Sequence, residues 1–476
     1  MDIQTYDVVV VGAGPTGENV SDRAVRGGLS VAIVEAELVG GECSYWACIP
    51  SKALLRPIHA LAAARRVPGS REAASGELDV AATLAHRDAM VSRFEDSGQV
   101  SWLESAGITL VRGHGRLAGE RFVEVERPGG TTALTARHAV VLATGTRPAI
   151  PPIPGLREAR PWTSREATSA AKAPRRLLVL GGGVVAVEMA QAWRALGCQQ
   201  VTVVERGDRL LGRTEPFAGA LVQEGLEDAG IQVVLRSSVR RIERPDPRGP
   251  VKATLTDGRI IVADEVLVGL GRQPATTDLG VDTVGLEPGS IVPVDDTMAV
   301  QGVAGRWLYA AGDVNGRALL THQGKYQARA LGDLIAARAG GLAEDTARWG
   351  RHVSTADHAA VAQVVFTDPQ VASVGLTESQ ARAAGHPVRT VGYDLGKVSG
   401  AALHAEGYIG HAKLVVDSVR EVLLGATFVG QDSAELVHAA TVALVGEVPI
   451  SRLWHAVPSF PTMSEVWLRL LEEWGR

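Results

Sequence analysis

Residues 6–35 read YDVVVVGAGPTGENVSDRAVRGGLSVAIVE. A β-branched run stops at Gly12-Ala13-Gly14-Pro15-Thr16-Gly17, a helix-forming stretch follows, and a second β-branched run closes on Glu35, 23 residues after Gly12. Strand, glycine loop, helix, strand and acid in that order mark a dinucleotide-binding βαβ unit. Gly12 permits the tight turn, Gly14 lets backbone N–H groups approach a pyrophosphate, and Gly17 lets the helix pack closely on the strand. Glu35 is then placed to accept hydrogen bonds from a ribose.

The pattern occurs a second time. LLVL at 177–180 ends in Gly181-Gly182-Gly183-Val184-Val185-Ala186, with alanine at the third site, and Glu205 ends the run QVTVVE 24 residues after Gly181. Gly181 and Gly183 take the roles of Gly12 and Gly14. Glu205 repels the 2'-phosphate of NADP and bonds the free ribose of NAD. Arg206 and Arg209 just behind it are the residues through which NADP is also accommodated, so NAD(H) is the expected nucleotide and NADP the alternative. A third segment, Ala310-Ala311-Gly312-Asp313-Val314, ends an apolar run and precedes the helical stretch THQGKYQARALGDLIAARA. Alone, Gly-Asp after a strand is an ordinary turn. Beside two fingerprints it reads as flavin binding, with Gly312 in the turn and Asp313 bonding a ribityl hydroxyl. The helix beginning near Thr321-His322 then offers its positive end to the negative charge of a reduced flavin.

Around these motifs the chain has 476 residues, enough for three or four domains, with 46% hydrophobic and 21% charged residues and 54 glycines. That composition describes an α/β globular protein with many tight turns. A net charge of −5 without a basic run excludes a nucleic-acid or anionic-membrane surface. No stretch approaches the roughly 20 apolar residues that span a bilayer. Three cysteines are too few for a disulfide-stapled secreted domain, and the amino terminus lacks the form of a signal peptide, so a cytoplasmic setting is expected. The proline cluster AIPPIPGL (149–156) resists helix and sheet and marks a domain crossing. VKATLTDGRIIVADEVLVGLG (251–271) reads as a hairpin turning at Asp257-Gly258 followed by a strand. From about 346 onward, strands and helices continue without phosphate-type loops.

Gly40-Gly41-Glu42-Cys43-Ser44-Tyr45-Trp46-Ala47-Cys48-Ile49-Pro50-Ser51-Lys52 sets two cysteines five apart before an alanine- and leucine-rich helix. Thiols at a helix N-terminus have lowered pKa values and are nucleophilic. A metal site lacks the second Cys or His pair it needs, which leaves a redox pair or two idle buried thiols. The Cys-x4-Cys-Ile-Pro-Ser-Lys run, between the first fingerprint and a later GGG run, resembles the pyridine nucleotide-disulfide oxidoreductases, among them dihydrolipoamide dehydrogenase, glutathione reductase and mercuric reductase. Ala143-Thr144-Gly145 is similar to the family's turn near the flavin, Gly271-Arg272-Gln273-Pro274 to its GRxP motif, and FTDPQVASVGLTE (366–378) to a further segment.

The resemblance covers essentially the whole chain and implies an α/β fold: two Rossmann-like dinucleotide-binding domains plus an α+β C-terminal dimerisation domain. Its implied divisions are an FAD-binding domain whose first part is 1–150, an NAD(P)-binding domain at 151–274, a central domain completing the FAD site at 275–345, and an interface domain at 346–476. It implies FAD and NAD as cofactors and a homodimer completed by the partner's C-terminal segment. By position, Cys48 resembles the thiol beside the flavin, Cys43 the interchange thiol facing substrate, and Lys52 with Glu188 the ion pair beside flavin N5. The implied route runs from NADH to flavin, then to a Cys43–Cys48 disulfide, leaving a dithiol.

Three departures bear on the substrate. The family's disulfide reductases end in His-Pro-Thr-x-x-Glu, where histidine is the acid/base and glutamate orients it. Here the segment is Phe460-Pro461-Thr462-Met463-Ser464-Glu465, and a phenylalanine ring cannot protonate a leaving thiolate. Tyr45, Trp46 and Ala47 replace smaller residues between the cysteines, and either shape a flat apolar acceptor site or pack against the flavin domain. There is no second cysteine pair at the C-terminus and no N-terminal metal-binding domain, and Cys198 reads as a small buried hydrophobe. The expectation is an FAD-dependent NAD(P)H oxidoreductase acting on a small acceptor: a quinone, a metal ion or an activated disulfide. The alternatives are a dihydrolipoamide dehydrogenase-like reductase with a substitute base such as His455, and a flavin redox sensor without turnover.

Overall fold

A computed structural model describes residues 3–247 and 249–475. The chain forms two compact units. The first comprises the chain up to Ile49, Asp88–Arg147 and Arg272–His358. The second comprises Pro50–Arg87, Pro148–Gly271 and the chain from Ala359 onward.

In the first unit, β1 (Ile3–Val11) lies between β2 (Val31–Glu35) and the later β6 (Gly130–Leu142), parallel to both, and β2 carries β3 (Ile108–Arg112) on its outer side. β4 (His114–Leu117) and β5 (Phe122–Arg127) continue beyond β6 as antiparallel strands, and Leu308–Ala310 pairs parallel with the C-terminal half of β6. The valine run of β1 is continuous because both of its faces are covered, as parallel sheets require. Successive side chains alternate between them. Val8 and Val10 enter one core with Ile33 and Val141, whereas Val9 and Val11 enter another with Val34 and Leu142. α1 (Pro15–Arg26) starts with proline at its first position, where no N–H is needed, and packs on the helix Thr321–Ala339. Arg23 of α1 pairs with Asp333 of that helix at 2.5 Å.

In the second unit, four parallel strands run in the order Gln232–Val234, Gln200–Val204, Arg176–Leu180, Glu265–Val268. The anticipated hairpin forms between Val251–Leu255 and Ile260–Ala263, within a small antiparallel sheet. Residues from Ala362 build a five-stranded antiparallel sheet with Gln370–Gly375 and Val422–Gly430 at its centre. The proline cluster at 149–156 takes neither helix nor strand. Among the described residues no helix is long and apolar enough to cross a membrane.

Candidate active site

Strand register converts distant motifs into one edge of the first unit. Val11 pairs with Leu142, and Leu142 with Ala310, so the residues after each strand emerge side by side: Gly12, Ala143 and Ala311. Ligands of open α/β sheets bind at such carboxyl ends. Gly12 has φ +103, and a Cβ there would lie 2.5 Å from the Ala143 carbonyl oxygen, so the turn admits glycine alone. Gly17 meets the Gly12 carbonyl even more closely, which brings α1 against the loop. Gly14 is the residue at which α1 begins, with open space where a Cβ would stand.

Glu35 ends β2 as anticipated, but its carboxylate already accepts from Ala13 N at 2.8 Å and Glu37 N at 2.7 Å. It therefore braces the glycine loop. Burial holds its pKa above the ordinary carboxylate range, opposed by the two backbone bonds.

Asp313 accepts from Thr146 Oγ1 at 2.9 Å, and Arg272 donates to the same hydroxyl at 2.5 Å and to the Thr146 carbonyl at 2.8 Å. Burial raises the Asp313 pKa, with the Thr146 bond and the Arg272 charge pulling it down. Gly312 N bonds Gln327 Oε1 at 2.7 Å, and Gly145 accepts from Ala275 N at 3.0 Å. Thr146 was not among the residues singled out from sequence, since a threonine after a glycine turn carries no signal of its own. Thr144 Oγ1 is buried without a hydrogen-bond partner. An orphan of this kind, next to the amides that open α1 and the Asp313 carboxylate, fits a polar dinucleotide such as FAD.

The cysteines lie in the same unit. Cys43 sits within α2 (Gly41–Tyr45), and Cys48 is the first residue of α3 (Cys48–Arg65). Neither is in a disulfide, and Cys48 Sγ lies 3.4 Å from Thr321 Oγ1. The helix-terminus argument for a lowered pKa does not hold at Cys43. Its hydrogen bond with Cys48, followed by burial, pushes the Cys43 thiol far up, while Thr321 and the Lys325 charge pull the other way. Tyr45 is 1% exposed and donates its hydroxyl to the Val39 carbonyl at 3.1 Å, so this aromatic packs inward. Trp46 is half-buried, its ring 5.6 Å from that of Tyr45.

One turn after Cys48 on α3 comes Lys52, in the second unit. Its Nζ lies 2.7 Å from Glu188 Oε2, and the other oxygen of Glu188 accepts from Phe366 N at 2.9 Å. Glu188 is 2% exposed, and Lys52 also lies over the Phe366 ring at 4.9 Å. Lys52 is thus held in an ion pair and is not a solvated helix lysine. In this unit Leu180 pairs with both Val204 and Val268, which places Gly181, Glu205 and the Gly269–Gly271 turn together at the strand ends. Gly183 opens the helix Val184–Ala195 as Gly14 opens α1, and Gly271 accepts from Ala149 N at 3.0 Å. Glu205 repeats the bracing seen at Glu35: Gly182 N and Gly207 N each donate to it at 2.6 Å. Ala186 is tolerated at the third fingerprint site because the facing residue, Gly269, has no side chain.

At the C-terminal end, Phe460 is 74% exposed, and His455 and His438 are exposed as well. Glu465 is 5% exposed: Oε1 pairs with Arg469 at 2.7 Å, while Oε2 is buried without a partner. Cys198 is buried, its thiol directed at the Gln200 carbonyl 3.3 Å away.

Comparison with known proteins places these features in context. The profile of the pyridine nucleotide-disulphide oxidoreductases matches residues 6–328, and that of the family's dimerisation domain matches 361–470. A mercuric reductase of Staphylococcus aureus is 31% identical over 463 residues, covering 97% of this chain and 81% of that protein. A dihydrolipoyl dehydrogenase of Chlamydia muridarum is 30% identical over 469 residues, covering 98% and 96%. In fold, the chain is similar to the HOCl-induced flavoprotein disulfide reductase RclA of Escherichia coli in its Cu(II) complex, with TM-score 0.83 and 24% identity over 98% of this chain and 99% of that one.

Proposed function

From the premise that this chain belongs to the pyridine nucleotide-disulphide oxidoreductases, flavin-dependent enzymes that use FAD and NAD(P)H, we propose that it carries electrons from NADH to a small acceptor whose reduction needs no imidazole. A quinone, a metal ion and a disulfide with a stable leaving thiolate meet that requirement. The observation that carries the reading is Phe460, an exposed, non-titratable ring where the family's motif has histidine, with Oε2 of Glu465 unpaired.

Each residue of the site has a task in this scheme. The first unit would hold FAD through the Gly12–Gly17 loop, Glu35, Thr144 and Asp313, and the second would hold NADH through the Gly181–Gly183 loop and Glu205. Bound FAD supplies the two-electron relay between nicotinamide and the cysteine pair. Lys52 is held in place by its ion pair with Glu188, as a cation serving a ring that takes on negative charge needs to be. Cys43 and Cys48 store the electron pair as a dithiol and release it by closing to a disulfide. Glu205, a carboxylate at the mouth of the second glycine loop, would favour NADH over NADPH. The match to the dimerisation domain supports a homodimer, and the lack of a membrane-crossing helix among the described residues is in keeping with a cytoplasmic setting.

Steady-state assays with each acceptor class, on wild type and Cys43→Ser, test the reading. Turnover of a quinone, metal ion or activated disulfide with little turnover of lipoamide is expected. Lipoamide or glutathione disulfide reduced as fast as those acceptors would overturn it, and quinone activity that survives Cys43→Ser rules out an obligatory thiol relay.

A further inference from the structure

Reduction of one disulfide by NADH delivers two electrons and a single proton, so the reduced Cys43–Cys48 pair holds one S–H and one thiolate. Which sulfur keeps the charge decides which of them reacts as a nucleophile. With Phe460 where the family's motif has histidine, that choice falls to the groups that touch the sulfurs themselves.

Thr321 is such a group. Its Oγ1 lies 3.4 Å from Cys48 Sγ. A thiolate carries no proton, so toward the charged form of Cys48 the hydroxyl is the donor. The hydrogen bond between the two thiols, then burial, push Cys43 far up, and the pulls of Thr321 and Lys325 on Cys43 are outweighed, so Cys43 is the sulfur that keeps its proton. Backbone placement points the same way. Cys48 is the first residue of the 18-residue α3 and Thr321 the first of the 19-residue helix Thr321–Ala339, so the positive ends of two long helices lie at the Cys48 sulfur. Cys43 sits inside the five-residue α2 and gains no comparable end.

Packing on the start of α1 holds both partners in place. A Cβ on Gly324 would lie 2.3 Å from Thr16 Oγ1, so the long helix rests closely on that turn. Gly40 N donates to Ala13 O at 2.7 Å, and a Cβ on Gly41 would lie 2.9 Å from Gly14 Cα, so the cysteine segment rests on the same turn. Cys43, Cys48, Thr321 and the start of α1 all belong to the first unit.

We propose that the Thr321 hydroxyl fixes the thiolate of the reduced pair on Cys48 by donating a hydrogen bond to its sulfur. When the pair is reduced, the S–S bond breaks, Cys43 takes the proton that arrives with the electron pair, and Cys48 takes the negative charge while NADH becomes NAD⁺. When the pair is reoxidised, the two sulfurs rejoin, and the electron pair and the Cys43 proton pass to the acceptor. One proton enters and one leaves, so the cycle closes without an imidazole. The titratable groups on the elements packed here are Glu42, Cys43 and Tyr45 on α2, Glu18 on α1, His322 and Lys325 on the long helix, and Lys52 further along α3. Replacing Thr321 by valine alters none of them and removes only the hydroxyl.

The inference rests on the cysteine relay proposed above, and its test does not depend on NADH. The flavin-loaded protein is reduced with a phosphine and desalted without oxygen, and alkylation by iodoacetamide is followed from about pH 5.5 to 9.5. Peptide fragmentation in the mass spectrometer tells Cys43 from Cys48, and buried Cys198 is the internal control. In wild type, Cys48 should react ahead of Cys43 at pH 7. Thr321→Val should slow Cys48 about tenfold at pH 7, equivalent to one pKa unit, and Thr321→Ser should stay within about twofold of wild type. Superimposable Cys48 profiles for wild type and Thr321→Val would overturn the proposal. So would an equal loss in Thr321→Ser, which would make shape and not the hydroxyl responsible, or a wild type in which Cys43 reacts first. If circular dichroism shows Thr321→Val to be unfolded, Thr321→Ala carries the same comparison. NADH that fails to generate the two thiols in wild type removes the relay, whereas normal reduction with unchanged alkylation removes the role of Thr321 alone.

Discussion

Substituting Glu188 with alanine removes the acceptor of two hydrogen bonds at once, from Lys52 Nζ at 2.7 Å and from Phe366 N at 2.9 Å. Breaking a fully buried ion pair from one side costs about 3–5 kcal/mol. The Lys52 side chain is 34% exposed and recovers part of its hydration, so about 2 kcal/mol is the appropriate share here. The stranded Phe366 N–H adds about 1–3 kcal/mol. The expected loss is therefore about 3–5 kcal/mol, of which the Phe366 part is local. Hydrogen exchange reads it directly: the Phe366 amide should exchange roughly 5- to 150-fold faster, because each 1.4 kcal/mol is a factor of ten. Glu188→Gln keeps an acceptor for Phe366 while losing the charge, so it should restore protection at Phe366 yet still slow reduction of the cysteine pair by NADH. Wild-type exchange at Phe366 in Glu188→Ala, together with unfolding by urea within about 1 kcal/mol of wild type, would refute the argument that Glu188 is the buried anchor of Lys52.

Three other perturbations have defined outcomes. Phe460→His alters an exposed side chain, so stability should change by less than about 0.5 kcal/mol, while dihydrolipoamide turnover should rise toward the roughly 100-fold typical of a positioned acid/base; steady-state kinetics with no gain would show that more than the ring is missing. Glu205→Gln weakens the bracing of Gly182 and Gly207 and removes the repulsion of a 2'-phosphate, so the ratio of kcat/KM for NADH over NADPH should fall about tenfold, and an unchanged ratio argues against Glu205 as the discriminator. Lys413 bridges Glu215 at 2.9 Å and Glu378 at 2.7 Å, and Glu215 is buried, so Lys413→Met should cost about 3–5 kcal/mol in urea unfolding at pH 7. Hydrogen bonds from Lys413 and Arg382 depress the Glu378 pKa, so its share of stability is full above the unfolded value of about 4.3 and is lost as pH falls through the folded value; the gap between wild type and Lys413→Met should narrow at low pH, and a constant gap would contradict this.

The two nucleotide loops were legible because every element of them is local. A valine run buried on both faces, a glycine where φ is +103, and an acid about two dozen residues on lie within one short stretch, and the backbone has few other ways to satisfy them. The cysteine pair and the Phe460 departure were legible through resemblance, since Cys43 and Cys48 are close in sequence and residue 460 falls in a recognisable motif. Lys52 with Glu188 came the same way, across 136 residues, with no local signal at either end.

What tertiary structure alone decided are the connections that strand register and helix packing create. Asp313 meets Thr146 and Arg272 only because Leu142 pairs with Ala310. Both Glu35 and Glu205 prove to be braces of their glycine loops, a role set by the direction of backbone N–H groups that no residue type reveals. Local sequence determined which cofactors this chain is built to bind, because turn geometry and side-chain periodicity act over a few residues. Which distant side chains meet, as Asp313 and Thr146 do across 167 residues, depends on strand register, which exists only once the chain has folded.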